Sequence, residues 1–149
     1  MRVLTLVITL NDAAVIEQAL GGLQRQTRPS DAIIIVDNAS TDGTLDKDFS
    51  NSVIIHRNSE NLGPSGAIRI AFAFALENGF DWTWVLDADS VPEPNALEKL
   101  LGFFDHLKTE QGGHTDAPGE ATDSFYLDTL TEVGPLGFIL FFVFVGMWR

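Results

Sequence analysis

Asp87 and Asp89 stand two residues apart at the end of the apolar run WTWVL. Two hard oxygen donors at that spacing suit Mg2+ or Mn2+, above all when a diphosphate supplies further ligands. If extended geometry persists past Leu86, both side chains point to one side. Ala88 between them adds little bulk. A plainer reading is available, in which Asp87 ends a strand and Asp89 caps a turn before Pro92. Asp37 poses the same alternative: it follows AIIIV and opens VDNASTDGT. There it either starts an Asx-type turn or accepts a hydrogen bond from a nucleobase N–H. Thr9 and Asn11 follow a third apolar run, VLTLVIT.

Such residues act together only if strands carry them to one place. Val3 to Thr9 is apolar and β-branched, which predicts a strand buried on both faces. Asn11 or Asp12 can cap the helix that follows, with Val15, Ile16, Ala19, Leu20 and Leu23 at helical spacing. Ala32 to Val36 and Val53 to His56 predict further strands, and Ser40 or Thr41 can cap a short helix between them. NLGPSG leads into a helix from about Ala67 to Glu77, closed by Asn78 and Gly79. Trp82 to Leu86 is a fourth strand. Leu97, Leu100, Leu101, Phe104 and Leu107 share one face of a last helix. Alternation of this kind predicts an α/β domain, a mostly parallel sheet flanked by helices. Ligands bind beyond the carboxyl ends of such strands. Three strand ends here deliver polar groups: Thr9 with Asn11, Asp37, and Asp87 with Asp89.

The chain has 149 residues, 45% of them hydrophobic, which suffices for one packed domain. Its formal net charge of -12 argues against nucleic acid as a partner. An anionic ligand must then be received locally, by a metal, a helix N-terminus or a single basic residue. The absence of cysteine excludes disulfides, thiolate zinc sites and a cysteine nucleophile. Asn11 and Asp12 follow MRVLTLVITL too soon for a signal peptide. Residues 108–124 are polar and read as a surface loop after a core of residues 1–107. Residues 125–149 end in GFILFFVFVGMW, too short a run to span a membrane with comfort. The expectation is the front part of a longer protein, with this tail a surface for missing structure, an oligomer or a membrane face.

Other candidates carry less. The turn Gly63-Pro64-Ser65-Gly66 matches neither a Walker A loop nor GxGxxG, and a tight turn with a helix start explains it. Arg69 either reaches a phosphate or is solvated. His56 and His114 have no partner at metal-ligand spacing. AFAFAL reads as core packing.

Taken in order, VITLND, LQRQTRPSDAIIIVDNASTDGT and RNSENLGPSGAIRIAFAFALENGFDWTWVLDADSVPEPNALEKL resemble the inverting family 2 glycosyltransferases of GT-A fold. Within these the chain looks most like the rhamnosyltransferase and galactofuranosyltransferase branch. The resemblance covers roughly residues 3–107. It implies that Thr9 and Asn11 border the nucleotide pocket and that Asp37 contacts the base of a dTDP- or UDP-sugar. Gly63 and Gly66 would let the backbone pass close to the nucleotide. Asp87 would face the ribose or metal shell, and Asp89 would ligate Mn2+ or Mg2+ bridging the diphosphate. The acceptor would be a glycan or a lipid-linked molecule, and the location the cytoplasm or the cytoplasmic face of a membrane. The family's base lies in an acidic motif well after the D-x-D, and nothing here matches it. Asp116, Glu120, Asp123 and Asp128 are not assigned that role.

Two other classes of function fit parts of the pattern. A nucleotide-sugar binding module without turnover shares Asp37 and the D-x-D and needs no base. An α/β phosphotransferase with an aspartate nucleophile expects its D-x-D after the first strand, whereas here the pair follows the fourth.

Overall fold

The computed structural model describes residues 1–50, 52–111 and 141–144. Five strands form one sheet: β1 Val3–Thr9, β2 Ala32–Asp37, β3 Val53–Arg57, β4 Trp82–Asp87 and β5 Phe141–Phe144, in the order β3-β2-β1-β4-β5. The first four run parallel, and β5 pairs antiparallel with β4. Helices α1 Ile16–Gln24 and α2 Gly63–Glu77 make the β1–β2 and β3–β4 crossovers, a 3-10 turn lies between β2 and β3, and α3 Ala96–Gln111 follows β4. The sequence reading of a mostly parallel α/β sheet therefore holds.

Alternation along β1 divides the core. Val3 and Val7 pack with Ile16, Leu20 and Leu23 of α1 and Leu97 of α3. Leu4, Leu6 and Ile8 pack with α2 on the other side. Sheet residues buried on both faces need helices on both faces, so the run VLTLVIT dictates three layers. Ala67, Ala71 and Ala75 meet the sheet and have no exposed surface. Of AFAFAL, read as core packing, Ala71 and Ala75 face the sheet and allow close approach, Phe74 packs at the margin, and Ala73 and Leu76 are exposed. Trp82 and Trp84 of β4 are buried under α3, and the Trp82 ring lies 4.5 Å from that of Phe104.

Boundaries differ from the sequence reading where turn chemistry decides. α2 begins at Gly63, about a turn early, because Gly63 takes a φ of +66° and Pro64 fits the first helical turn. Asp12 does not cap α1, whose N-cap is Val15. Neither Ser40 nor Thr41 caps the 3-10 turn Thr44–Asp46; Gly43 turns the chain into it, and Asp42 accepts from Thr44 N–H at 3.0 Å. α3 runs to Gln111, into the stretch read as loop. The rest of that stretch lies outside the described residues, as do His114, Asp116, Glu120, Asp123 and Asp128 and most of the apolar tail. No helix among the described residues is long and apolar enough to cross a membrane.

Candidate functional site

In the order β3-β2-β1-β4-β5 the chain leaves β1 in one direction and later returns to its other side. Connections diverge there, and a crevice opens beyond the tips of β1 and β4, as expected at a topological switch point. It has a volume of about 310 Å³. Ile8, Thr9, Leu10 and Asp12 line it from β1, Asn38 from β2, Asn61, Gly63 and Pro64 from the start of α2, and Asp87, Ala88 and Asp89 from β4.

Asp87 and Asp89 therefore reach one cleft, but not by strand alternation. β4 ends at Asp87, and Ser90 N–H donates to Asp87 O at 3.0 Å, closing a turn. Ala88, 1% exposed, anchors this turn by donating its N–H to Ile8 O at 2.9 Å. Both carboxylates are solvent-facing at the cleft. Partial desolvation by the cleft walls pushes the Asp87 carboxyl above its ordinary value, and the charges of Asp89 and Asp12 push it further. A site that strains to hold its negative charge favours a cation.

Asp12 is the acid that sequence reasoning missed, having been read only as a helix cap. Its carboxylate accepts from Thr9 Oγ1 and from Leu10 N–H, both at 2.9 Å. The clue was available, since Asp12 follows a strand tip as Asp37 and Asp89 do. Thr9, 1% exposed, lines the cleft as expected.

Asp37, Asn11 and Gly66 are not among the lining residues. Asp37 has no exposed surface; it accepts from Ser40 N–H at 3.2 Å and from the Ser40 hydroxyl. Arg57 Nε lies 3.6 Å from it, and Arg57 Nη2 donates to Ser40 O at 2.9 Å. The side chain that could have met a nucleobase thus closes its own loop, the Asx-type alternative. Asn11 has a φ of +61° and joins the same loop: its N–H donates to Ser40 Oγ and its Oδ1 accepts from Thr41 N–H, each at 2.8 Å. Gly63 lines the cleft, whereas Gly66 is required for packing, because a Cβ there would collide with Leu62. Arg69 is exposed on α2 and is not part of the lining.

Gln26 fixes the site from behind. It is 6% exposed; its Nε2 donates to Glu93 O at 2.7 Å and its Oε1 accepts from Leu97 N–H at 3.1 Å. This amide, together with the bond from Thr27 N–H to Pro94 O at 2.7 Å, ties the loop after Asp89 to the end of α1. Nothing in QTRPSD marked it beyond a turn.

The donor set bears on metal binding. Among the described residues no three His, Cys, Asp or Glu side chains converge as a ligand cage. Two carboxylates beside a cleft fit a hard divalent ion that takes its remaining ligands from water and a diphosphate, which is how Mg2+-type sites are commonly built. They do not fit a structural zinc site.

Set beside known proteins, the chain matches the profile of glycosyl transferase family 2 over residues 5–136. It is 35% identical over 107 residues to the undecaprenyl-phosphate mannosyltransferase of Micrococcus luteus, covering 68% of this chain and 43% of that protein. To the hyaluronan synthase of Streptococcus pyogenes it is 31% identical over 134 residues, 82% of this chain and 30% of the other. Among solved structures, S. aureus TarS shares the fold with a TM-score of 0.63 at 23% identity, over 72% of this chain and 20% of that one. The mannosyltransferase PcManGT from Pyrobaculum calidifontis, solved with GDP-Man and Mn2+, gives a TM-score of 0.53 at 28% identity, over 62% and 29%. The chain spans less than half the length of these curated relatives.

Proposed function

The chain belongs to glycosyl transferase family 2, and from that premise we propose that the cleft between β1 and β4 receives the nucleoside diphosphate of an activated sugar. One observation carries this: an acidic chain sets two converging carboxylates on one wall of a cleft and the start of a helix on the other. A divalent ion held by Asp89, with Asp87 toward it or the ribose, would reconcile that acidity with an anionic donor. When bound, Mn2+ or Mg2+ would act as a Lewis acid on the leaving nucleoside diphosphate. The Mn2+ in the Pyrobaculum structure supports the choice of ion class.

The residues of this chain have distinct parts in the reading. Thr9, held by Asp12, borders the nucleotide. Gly63 lets the backbone pass close to it. Asp37 and Asn11 act at one remove, by fixing the Ser40–Thr41 loop beside the base. Likeness to the rhamnosyl and galactofuranosyl branch puts dTDP- and UDP-sugars among the donors, and the GDP-Man of PcManGT adds GDP-sugars. The sugar passes to a glycan or lipid-linked acceptor with inversion, after a carboxylate base takes the acceptor's proton. That base is assigned to none of the described residues, and donor binding is the part of the reaction assigned to them. Without a base it is a nucleotide-sugar binding module, and product formation by the pure chain separates the two.

Calorimetric titration with UDP, dTDP and GDP, each with Mn2+ and again with EDTA, tests the reading. Binding of one nucleotide that is lost with EDTA is expected, and Asp89→Asn should abolish it while leaving the fold intact. Unchanged binding in that variant would sink the assignment.

A further inference from the structure

The cleft wall facing the aspartates is held by amides. Leu62, the N-cap of α2, offers the helix no side-chain acceptor. Asn61 Oδ1 accepts from Gly63 N–H at 2.8 Å, and Asn38 supplies an acceptor for Leu62 N–H from the tip of β2. Its side chain, 3% exposed, reaches both sides of the turn: Oδ1 accepts from Leu62 N–H and Nδ2 donates to Gly63 O, each at 3.4 Å. These bonds are long, and alone they hold the amide weakly. The shorter bond comes from behind, where Asn58 Nδ2 donates to Asn38 Oδ1 at 2.9 Å. Asn58 is 7% exposed and pinned twice, its N–H donating to Asp37 O at 2.8 Å and its Oδ1 lying 3.1 Å from His56 Nε2.

The chemistry of the amide makes this arrangement directional. Asn38 has an acceptor end and a donor end, and Leu62 N–H and Gly63 C=O need them in one order only. A donor fixed on Oδ1 sets that order. Released from it, the amide turns over or lets go, and the helix start loses its register against the cleft.

We propose that Asn58 is a positioning residue for the donor nucleotide. It lies outside the cleft lining and acts through Asn38 on the wall formed by Leu62, Gly63 and Pro64. The inference rests on the reading of the cleft as a nucleotide site.

The test is titration of the full chain with UDP, dTDP and GDP in the presence of Mn2+. Misplacing the wall by a fraction of an ångström to an ångström should weaken binding by about ten- to a hundred-fold in Asn58→Ala. Asn38→Ala should lose at least as much, and the double variant no more than Asn38→Ala alone, because the two act in series. What binding remains should still vanish with EDTA, since Asp87 and Asp89 are untouched. Ile35→Val, a core truncation with no exposed surface to lose, provides a control that lowers stability and leaves the dissociation constant alone. An unchanged constant in Asn58→Ala, or additive losses, overturns the proposal. Should Asn58→Ala fail to fold, Asn58→Asp keeps the size and the oxygen facing His56 but sets a charged acceptor against Asn38 Oδ1 in place of the donor; at least the same weakening is expected, and its absence is equally fatal. A wild-type chain that binds none of the nucleotides overturns the cleft reading itself.

Discussion

Asp37→Asn separates a side chain that meets ligand from one that builds the loop. The wild-type carboxylate has no exposed surface and accepts two bonds from Ser40, one from N–H and one from the hydroxyl. An asparagine keeps one acceptor oxygen and turns an NH2 toward a donor. One buried, charge-assisted bond is lost, about 1.5–3 kcal/mol. The pairing with Arg57 adds little, on the order of 0–1 kcal/mol, because that arginine is 60% exposed. The sum is about 1.5–4 kcal/mol, or a fall in midpoint of roughly 3–16 °C for a domain of this size. Urea denaturation followed by far-UV circular dichroism measures it, with nucleotide titration done well below the transition. If the variant stays within about 0.5 kcal/mol of wild type yet loses nucleotide, Asp37 is free for a ligand and the buried network has been misread.

Other perturbations have defined outcomes. Gly63→Ala places a Cβ at a φ of +66° with nothing within 4 Å to clash, so strain alone acts; urea midpoints should show a loss of about 1 kcal/mol, and Gly63→Asn, which tolerates this region, should lose less. Gly66→Ala drives a Cβ into Leu62 and should lower stability by about 1–3 kcal/mol; an unchanged urea midpoint contradicts the packing described. Asp87 titrates above its ordinary 3.8, so the folded chain holds that proton more tightly than the unfolded one. Its contribution to stability is full below 3.8 and is lost as pH rises through the raised value. Metal binding needs the carboxylate and strengthens over the same window; Mn2+ titrations and melts at stepped pH should move in opposite directions. Asp87→Asn should accordingly raise the melting temperature of the metal-free chain at neutral pH, and an unchanged or lower value argues against mutual repulsion at the cleft.

Much of the fold was legible because burial on both faces leaves a plain mark. Runs such as VLTLVIT and AIIIV read as buried parallel strands, and the helices between apolar runs gave the α/β class; the order β3-β2-β1-β4-β5 was not legible, and β3, half exposed at the sheet edge, carries a weaker mark. The D-x-D was legible as a pair at a strand end, though the turn Asp87–Ser90, and not strand alternation, brings Asp89 to the cleft. What could not be read was which polar side chain would turn outward. Asp37 and Asp12 both follow β-strand tips, yet one is sealed by Ser40 and Arg57 and the other faces the cleft. That choice depends on contacts with Arg57 and Thr9, made only after the chain has folded. Gln26 and Asn58 were invisible for the same reason: a buried amide has no period and no motif, and its partners lie in other segments of the chain.

The strand that ends in Asp87 also carries two of the three tryptophans, Trp82 and Trp84, both buried in the core. Indole emission is sensitive to small changes around the ring, and Trp84 stands three positions before Asp87 on the same rigid β-strand. If the proposed cation occupies the cleft, it would sit about 10 Å along the strand from a chromophore shielded from solvent quenchers. The chain would then carry an optical reporter of its own site, and an unlabelled sample in a fluorimeter would follow in real time how fast that site fills and empties.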